Sequence, residues 1–257
     1  VLASSGGVFS QATCSAPMCL PSRHSMMTGL YPSQLGVRHN TQMFPSDDDL
    51  PVPVLPEILK SGGYQTAGFG KTHWYIGGVD SDIPTRTSTR GFEVRAEARG
   101  VDPLSNERGA VIYGSEDPEG WQDLQRDKEG FGLGEETIAG YLGRTSTVDG
   151  RRHREGWLAE RALHFLETGR DNRPLFFYLS LDFPHAGQNV PPGYEEQYDI
   201  SDIIDPAKGT PSDLPEHVKP WRFRDEWLAL TSLQRRQVVL RYYALCTFVD
   251  DVLGRVL

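Results

Sequence analysis

Pro174-Leu175-Phe176-Phe177-Tyr178-Leu179-Ser180-Leu181 is an almost unbroken apolar run, and its reading decides the fold. Bounded by Pro174 and by the polar residue that follows it, it reads as a strand, and the lack of polar alternation predicts burial on both faces. Just before it, from Gly156 to Arg170, Trp157/Leu158, Arg161/Ala162 and Phe165/Leu166 recur at four-residue intervals, which predicts a helix. A like pair lies upstream. Val54-Leu55-Pro56-Glu57-Ile58-Leu59-Lys60-Ser61 before Gly62-Gly63 is a short helix with a glycine stop, and Tyr64-Gln65-Thr66-Ala67-Gly68-Phe69-Gly70 reads as a strand ending on glycine. Apolar strands alternating with amphipathic helices predict an α/β fold with a mostly parallel central sheet flanked by helices. Sites in such sheets lie at the carboxyl ends of the strands. That directs attention to the two tails, Gly70-Lys71-Thr72-His73-Trp74 and Asp182-Phe183-Pro184-His185-Ala186-Gly187.

The rest of the chain is less periodic. Residues from about 76 to 152 are rich in Gly, Asp, Glu and Arg, and are expected to form a loop-rich insertion near the mouth of the site. From about Leu233 to Leu257, Val238, Tyr242, Leu245, Val249, Val252 and Val256 keep a helical spacing. The chain starts at Val1 without an initiator methionine and ends inside that helical run, so the reading expects a piece incomplete at both ends and assigns no localisation. The 257 residues, 38% hydrophobic and 24% charged, suit one globular domain. A formal net charge of −9 excludes non-specific nucleic-acid binding, and no apolar stretch is long enough to span a bilayer. Cys14, Cys19 and Cys246 form neither a metal-type cluster nor an even disulfide framework, although a Cys14–Cys246 bridge stays open.

The chemistry concentrates in Cys19-Leu20-Pro21-Ser22-Arg23-His24-Ser25-Met26-Met27-Thr28-Gly29. The Pro-Ser pair followed by a breaker-free run reads as a turn entering a helix, which puts Cys19 at a helix N-terminus. Free N–H groups and the positive end of the dipole attract an anion there, and Arg23 adds a forked positive charge. In the first tail, Lys71 and His73 occupy alternate positions of an extended segment and so share a side. A cation beside an imidazole suits a tetrahedral anion and a proton relay. A phosphate loop is excluded, because Gln65 stands where its first glycine would be. A thiol phosphatase is excluded too, since it needs a wider Cys-to-Arg spacing than the three residues between Cys19 and Arg23.

The Cys19-x-Pro21-Ser22-Arg23 run with Thr28-Gly29 resembles the sulfatase signature, and Leu55 to His73, ending in Gly70-Lys71-x-His73, resembles the family's second signature. The Pro184-His185 pair is similar to a further element of the family, and Gly91-Phe92-Glu93 to another that is structural. The family often carries a tryptophan between the lysine and the histidine, where this chain has Thr72, with Trp74 following. The resemblance implies an alkaline-phosphatase-like sulfatase fold over 1–257 and cleavage of a sulfate monoester. It implies that a formylglycine-generating enzyme converts Cys19 to formylglycine (3-oxoalanine), the nucleophile. Arg23, Lys71, His73 and His185 would complete the catalytic set, with Lys71 and His185 binding substrate. One divalent cation, commonly Ca2+, would be held by the formylglycine at Cys19 together with an aspartate pair expected before Val1 and an Asp-Asn or Asp-His pair expected beyond Leu257. The same superfamily admits a phosphonate monoester or phosphodiester hydrolase, and a sulfatase-like binding protein without catalysis is the remaining alternative. The periplasm, secretion and the lysosome are the compartments that such a resemblance suggests.

Overall fold

The structure is a computed structural model that describes residues 2–40, 50–72, 75–76, 86–87, 91–98, 110–129, 143–185, 189–206 and 224–257. Its helices are α1 (Leu2–Ser5), α2 (Cys19–Thr28), α3 (Pro32–Leu35), α4 (Leu55–Ser61), α5 (Tyr113–Glu116), α6 (Pro118–Glu129), α7 (Arg154–Thr168), α8 (Arg224–Ala229) and α9 (Ser232–Val256). Strands β1 (Gln65–Gly70), β4 (Val94–Glu97), β5 (Ala110–Ile112) and β7 (Leu175–Ser180) form one sheet. The short strands β2 (Tyr75–Ile76) and β3 (Arg86–Thr87) pair with each other, as do β6 (Arg144–Thr145) and β8 (Asn189–Val190).

The main sheet has the order β5-β4-β1-β7, and every pair in it is parallel. From β1 the chain first adds strands on one side, then returns through α7 to add β7 on the other. The order therefore reverses between β1 and β7, which opens a crevice at their carboxyl ends. One face of the sheet is covered by α7, whose Trp157, Leu158, Ala162 and Phe165 share a core with Ala67, Phe69, Ala96 and Tyr113. On that face Phe69 meets Phe165 and Phe177 at centroid distances of 5.7 and 5.5 Å. A smaller cluster of Met27, Val54 and Phe92, backed by Phe176 and Tyr178, joins α2 and the start of α4 to β7. The long helix α9 packs on α7 through Ala244, Leu245, Phe248 and Val252.

Two sequence expectations need correction, and one alternative left open is resolved. Every residue of β7 is half-buried rather than buried. Both of its faces are packed, but among the described residues no strand lies on its far side, so its edge is open. The 76–152 stretch is not loop-rich throughout, because β4 and β5 belong to the main sheet and α6 follows them. Arg95 and Glu97 interrupt the apolar pattern of β4 and hid it. Residues 77–85, 88–90, 99–109 and 130–142 of that stretch lie outside the described ones. Finally, Cys14, Cys19 and Cys246 are all free, so the Cys14–Cys246 bridge is absent.

Candidate active site

The helix expected after Cys19 begins at Cys19 itself, with Met18 as an extended N-cap residue and Gly29 in the left-handed conformation closing the other end. Pro21 falls in the first turn, where its missing N–H leaves no bond unmade. Thr28 supports the exit, its Oγ1 donating to His24 O at 2.7 Å and accepting from Leu30 N at 3.2 Å. The helix start is less open than expected. Leu20 N–H donates to Asn40 Oδ1 at 3.0 Å and Ser22 N–H to Met18 O at 3.0 Å. Attraction for an anion therefore rests more on Arg23 than on bare N–H groups.

Arg23 is the side chain that draws the two strand tails together. Its Nη1 donates to Lys71 O at 2.9 Å, to Ser180 Oγ at 2.8 Å and to Tyr178 Oη at 3.2 Å. Lys71 follows β1 directly, and its own N–H donates to Ser180 O at 2.8 Å. Such close pairing of the two tails requires glycine at position 70. Its φ is +89°, and a Cβ there would lie 2.0 Å from Ser180 O. Cys19, Ser22 and Arg23 line a cleft of about 630 Å3 against Tyr178 and Ser180.

Past β7, Asp182 accepts from Lys71 Nζ, an ion pair across the two tails, and from Arg154 Nη2 at 2.9 Å. Burial would push the Asp182 carboxyl up, but the Arg154 guanidinium and the Lys71 ammonium outweigh it and hold the group down at about 2. A carboxylate thus stands among the cations at neutral pH, anchoring Lys71 while Arg154 balances its charge. The main chain of Asp182 does a second job: its carbonyl accepts from His185 N–H at 3.1 Å, closing the turn after the cis Phe183–Pro184 peptide. Below that turn, the buried Glu155 accepts from Phe183 N–H at 3.3 Å and pairs with His153 Nδ1 at 3.1 Å, and the His153 ring lies 5.1 Å from that of Phe183.

Of the residues singled out from sequence, Cys19 and Arg23 line one cleft, Arg23 reaches the main-chain carbonyl of Lys71, and His185 is tied by its main-chain N–H to Asp182, whose side chain takes the Lys71 ammonium. His73 lies outside the described residues. Sequence reasoning missed Arg154 and the part played by Tyr178 and Ser180. For the latter two a signal existed: they are the polar residues of an otherwise apolar strand, and at alternate positions they share a face. Arg154 had none, being the first residue of a helix that touches the site only through the fold. Gly91-Phe92-Glu93 is structural, as expected: Thr66 Oγ1 donates to Gly91 O at 2.7 Å, and Glu93 N–H donates to Thr66 O at 2.9 Å. Among the described residues no group of three or more His, Cys, Asp or Glu side chains could hold a metal ion, and no helix is long and apolar enough to cross a membrane. The donors present do not make up a cation site by themselves.

The parallel sheet whose order reverses between β1 and β7 is the alkaline-phosphatase-like fold. The crystal structure of the phosphonate monoester hydrolase of Agrobacterium radiobacter matches it with a TM-score of 0.65 at 20% identity, over 95% of this chain and 50% of that one. Within that class the chain belongs to the sulfatase family, whose model matches residues 1–257. A sulfatase from Formosa agariphila is 30% identical over 100% of this chain and 48% of its own length. The uncharacterized sulfatase YidJ of Escherichia coli is 26% identical, over 100% of this chain and 47% of its own. The chain thus spans about half the length of the curated relatives it matches.

Proposed function

We propose that this protein hydrolyses a sulfate monoester, using Cys19 matured to formylglycine by a formylglycine-generating enzyme. The observation that carries the reading is Arg23, which lines a cleft with Cys19 and reaches across to the main-chain carbonyl of Lys71 at the reversal in strand order. Cys19 fits the modification: it is half-buried at the start of a 10-residue helix and faces a cleft. The hydrated aldehyde would supply the nucleophile for the sulfur centre.

The chain's own residues would do the rest. Arg23 uses Nη1 on protein acceptors, and the remainder of its fork, with the Lys71 ammonium, would hold the sulfate oxygens and offset charge growing on them. Asp182 keeps Lys71 from swinging away, and Arg154 keeps Asp182 ionised. His185 would stand at the leaving oxygen as the proton donor, and His73 would take a proton from the nucleophile's side. A divalent cation, Ca2+ by family resemblance, would need carboxylates besides Cys19, and no step here is routed through it.

The test uses the full-length protein from its own host, or made beside a formylglycine-generating enzyme. Mass measurement of the Cys19 peptide should find the aldehyde or its hydrate, 4-nitrophenyl sulfate should be cleaved faster than a phenyl phosphonate ester, and Cys19→Ala should abolish turnover. A preference for the phosphonate ester would move the protein to the hydrolases its fold resembles. An unconverted, inert Cys19 would make it a binding protein.

A further inference from the structure

We propose that Arg95 and Thr72 form a buried polar lock that positions Lys71 for the anionic group of the substrate. The inference rests on the sulfatase reading for the identity of that anion. It starts from the departure noted in the sequence, Thr72 where the family often has tryptophan. Thr72 is not a solvent-facing replacement: it is 3% exposed, and its hydroxyl accepts from Arg95 Nη2 at 3.2 Å. Arg95 comes from β4, is 0% exposed, and spends its guanidinium along the end of β1. Nη1 donates to Gly68 O at 3.0 Å and Nη2 to Gly70 O at 2.6 Å, while Glu97 accepts a further bond and supplies the counter-charge. Gly68, Gly70 and Thr72 are alternate residues, and one rigid fork grips all three, two by their carbonyls and the third by its hydroxyl.

Lys71 sits inside that grip. Arg95 holds the carbonyl before it and the side chain after it. Its own N–H is held by Ser180 O at 2.8 Å and its own carbonyl by Arg23 Nη1 at 2.9 Å. Turning the Lys71 backbone would break a bond to one arginine or the other. A lysine side chain has four rotatable bonds, so its ammonium is placed closely only when both ends are fixed; Asp182 takes the far end and the Arg95–Thr72 pair helps to fix the near one. A buried cation without partners would be expensive, and Arg95 is tolerated because Glu97 and the carbonyl oxygens of β1 surround it. Arg95 and Thr72 act through Lys71 and are positioning residues.

The test compares Thr72→Val, which keeps the branched shape and loses the hydroxyl, with Thr72→Ser, which keeps the hydroxyl, in the full-length matured protein. Four quantities are read: kcat and KM for 4-nitrophenyl sulfate, affinity for inorganic sulfate by calorimetry, and the thermal midpoint. The valine variant should lose about tenfold in kcat/KM and bind sulfate more weakly with its midpoint nearly unchanged, and the serine variant should regain both. Should the valine variant fail to fold, Thr72→Ala takes its place. Equal sulfate affinity and kcat/KM in parent and valine variant, or a loss confined to the midpoint, overturns the lock. A parent that cleaves no sulfate ester but binds sulfate more tightly than Thr72→Val sinks the sulfatase reading and leaves the lock standing. A parent that neither cleaves nor binds sulfate overturns both.

Discussion

β1 and β7 run side by side in register from Gln65 opposite Leu175 to Gly70 opposite Ser180, yet the less apolar of the two is the more buried. Gln-Thr-Ala-Gly-Phe-Gly is buried at every position, whereas Leu-Phe-Phe-Tyr-Leu-Ser is half-buried at every position. The difference follows from strand order. β1 has a neighbour on each edge, β4 and β7. β7 is packed above and below by aromatic clusters but keeps one edge open among the described residues. Apolar content thus reports what lies over the faces of a strand, and burial also needs its edges. The glycines of β1 serve close packing, since a Cβ at Gly68 would meet the Phe92 ring and one at Gly70 the carbonyl of Ser180, while the polar side chains of β7, Tyr178 and Ser180, receive Arg23.

The contrast can be broken experimentally, most severely at the seam. Gly70→Ala places a methyl group against Ser180 O in a backbone conformation that L side chains rarely adopt, and should cost about 4 kcal/mol or more, read as insoluble protein or as a collapsed urea midpoint. A well-folded Gly70→Ala protein would mean that β1 and β7 are looser than described. Next comes the pair Phe69→Ala and Phe177→Ala, whose rings are 5.5 Å apart across the two strands. Phe69 is 1% exposed, so its truncation should cost about 3 to 4 kcal/mol. Phe177, on the strand with the open edge, should cost about half as much. Equal losses in urea unfolding would show that an added neighbour covers β7 in the protein tested.

The smallest effect expected is electrostatic. The carboxyl of Asp182 sits at about 2 in the folded chain against an ordinary 3.8, so the stability it contributes is fully present above pH 3.8 and is lost as the pH falls towards 2. Asp182→Asn should therefore cost about 1 to 2 kcal/mol near neutrality, and the gap between parent and variant should narrow in urea titrations run at successively lower pH from 4 to 2. A gap independent of pH would remove the ion pairs with Lys71 and Arg154 as its cause.

Much of this was legible in the residues. The α4–β1 and α7–β7 units were read to within a residue or two, because each is a local pattern: four-residue apolar recurrence, a glycine stop, then an apolar run. β4 was not legible. Its Arg95 and Glu97 look like loop residues until Gly68 O and Gly70 O, 27 and 25 residues away, are seen to accept from that arginine. The part played by Asp182 was not legible either: its side chain takes Lys71, and its main-chain carbonyl accepts from the N–H of His185.

Sequence alone settled the class of fold, the elements that bear the motifs and the family, because periodicity, turn chemistry and motif spacing act over a few residues. Only the tertiary structure decided that β7 would stand at an edge among the described residues, that Arg23 would reach Lys71 and Ser180 across 48 and 157 residues, and that Asp182 would hold the Lys71 ammonium while Arg95 binds its two chain neighbours. Those outcomes depend on strand order and on which buried charge finds which carbonyl, and these are set by packing of the whole sheet rather than by any one stretch of chain.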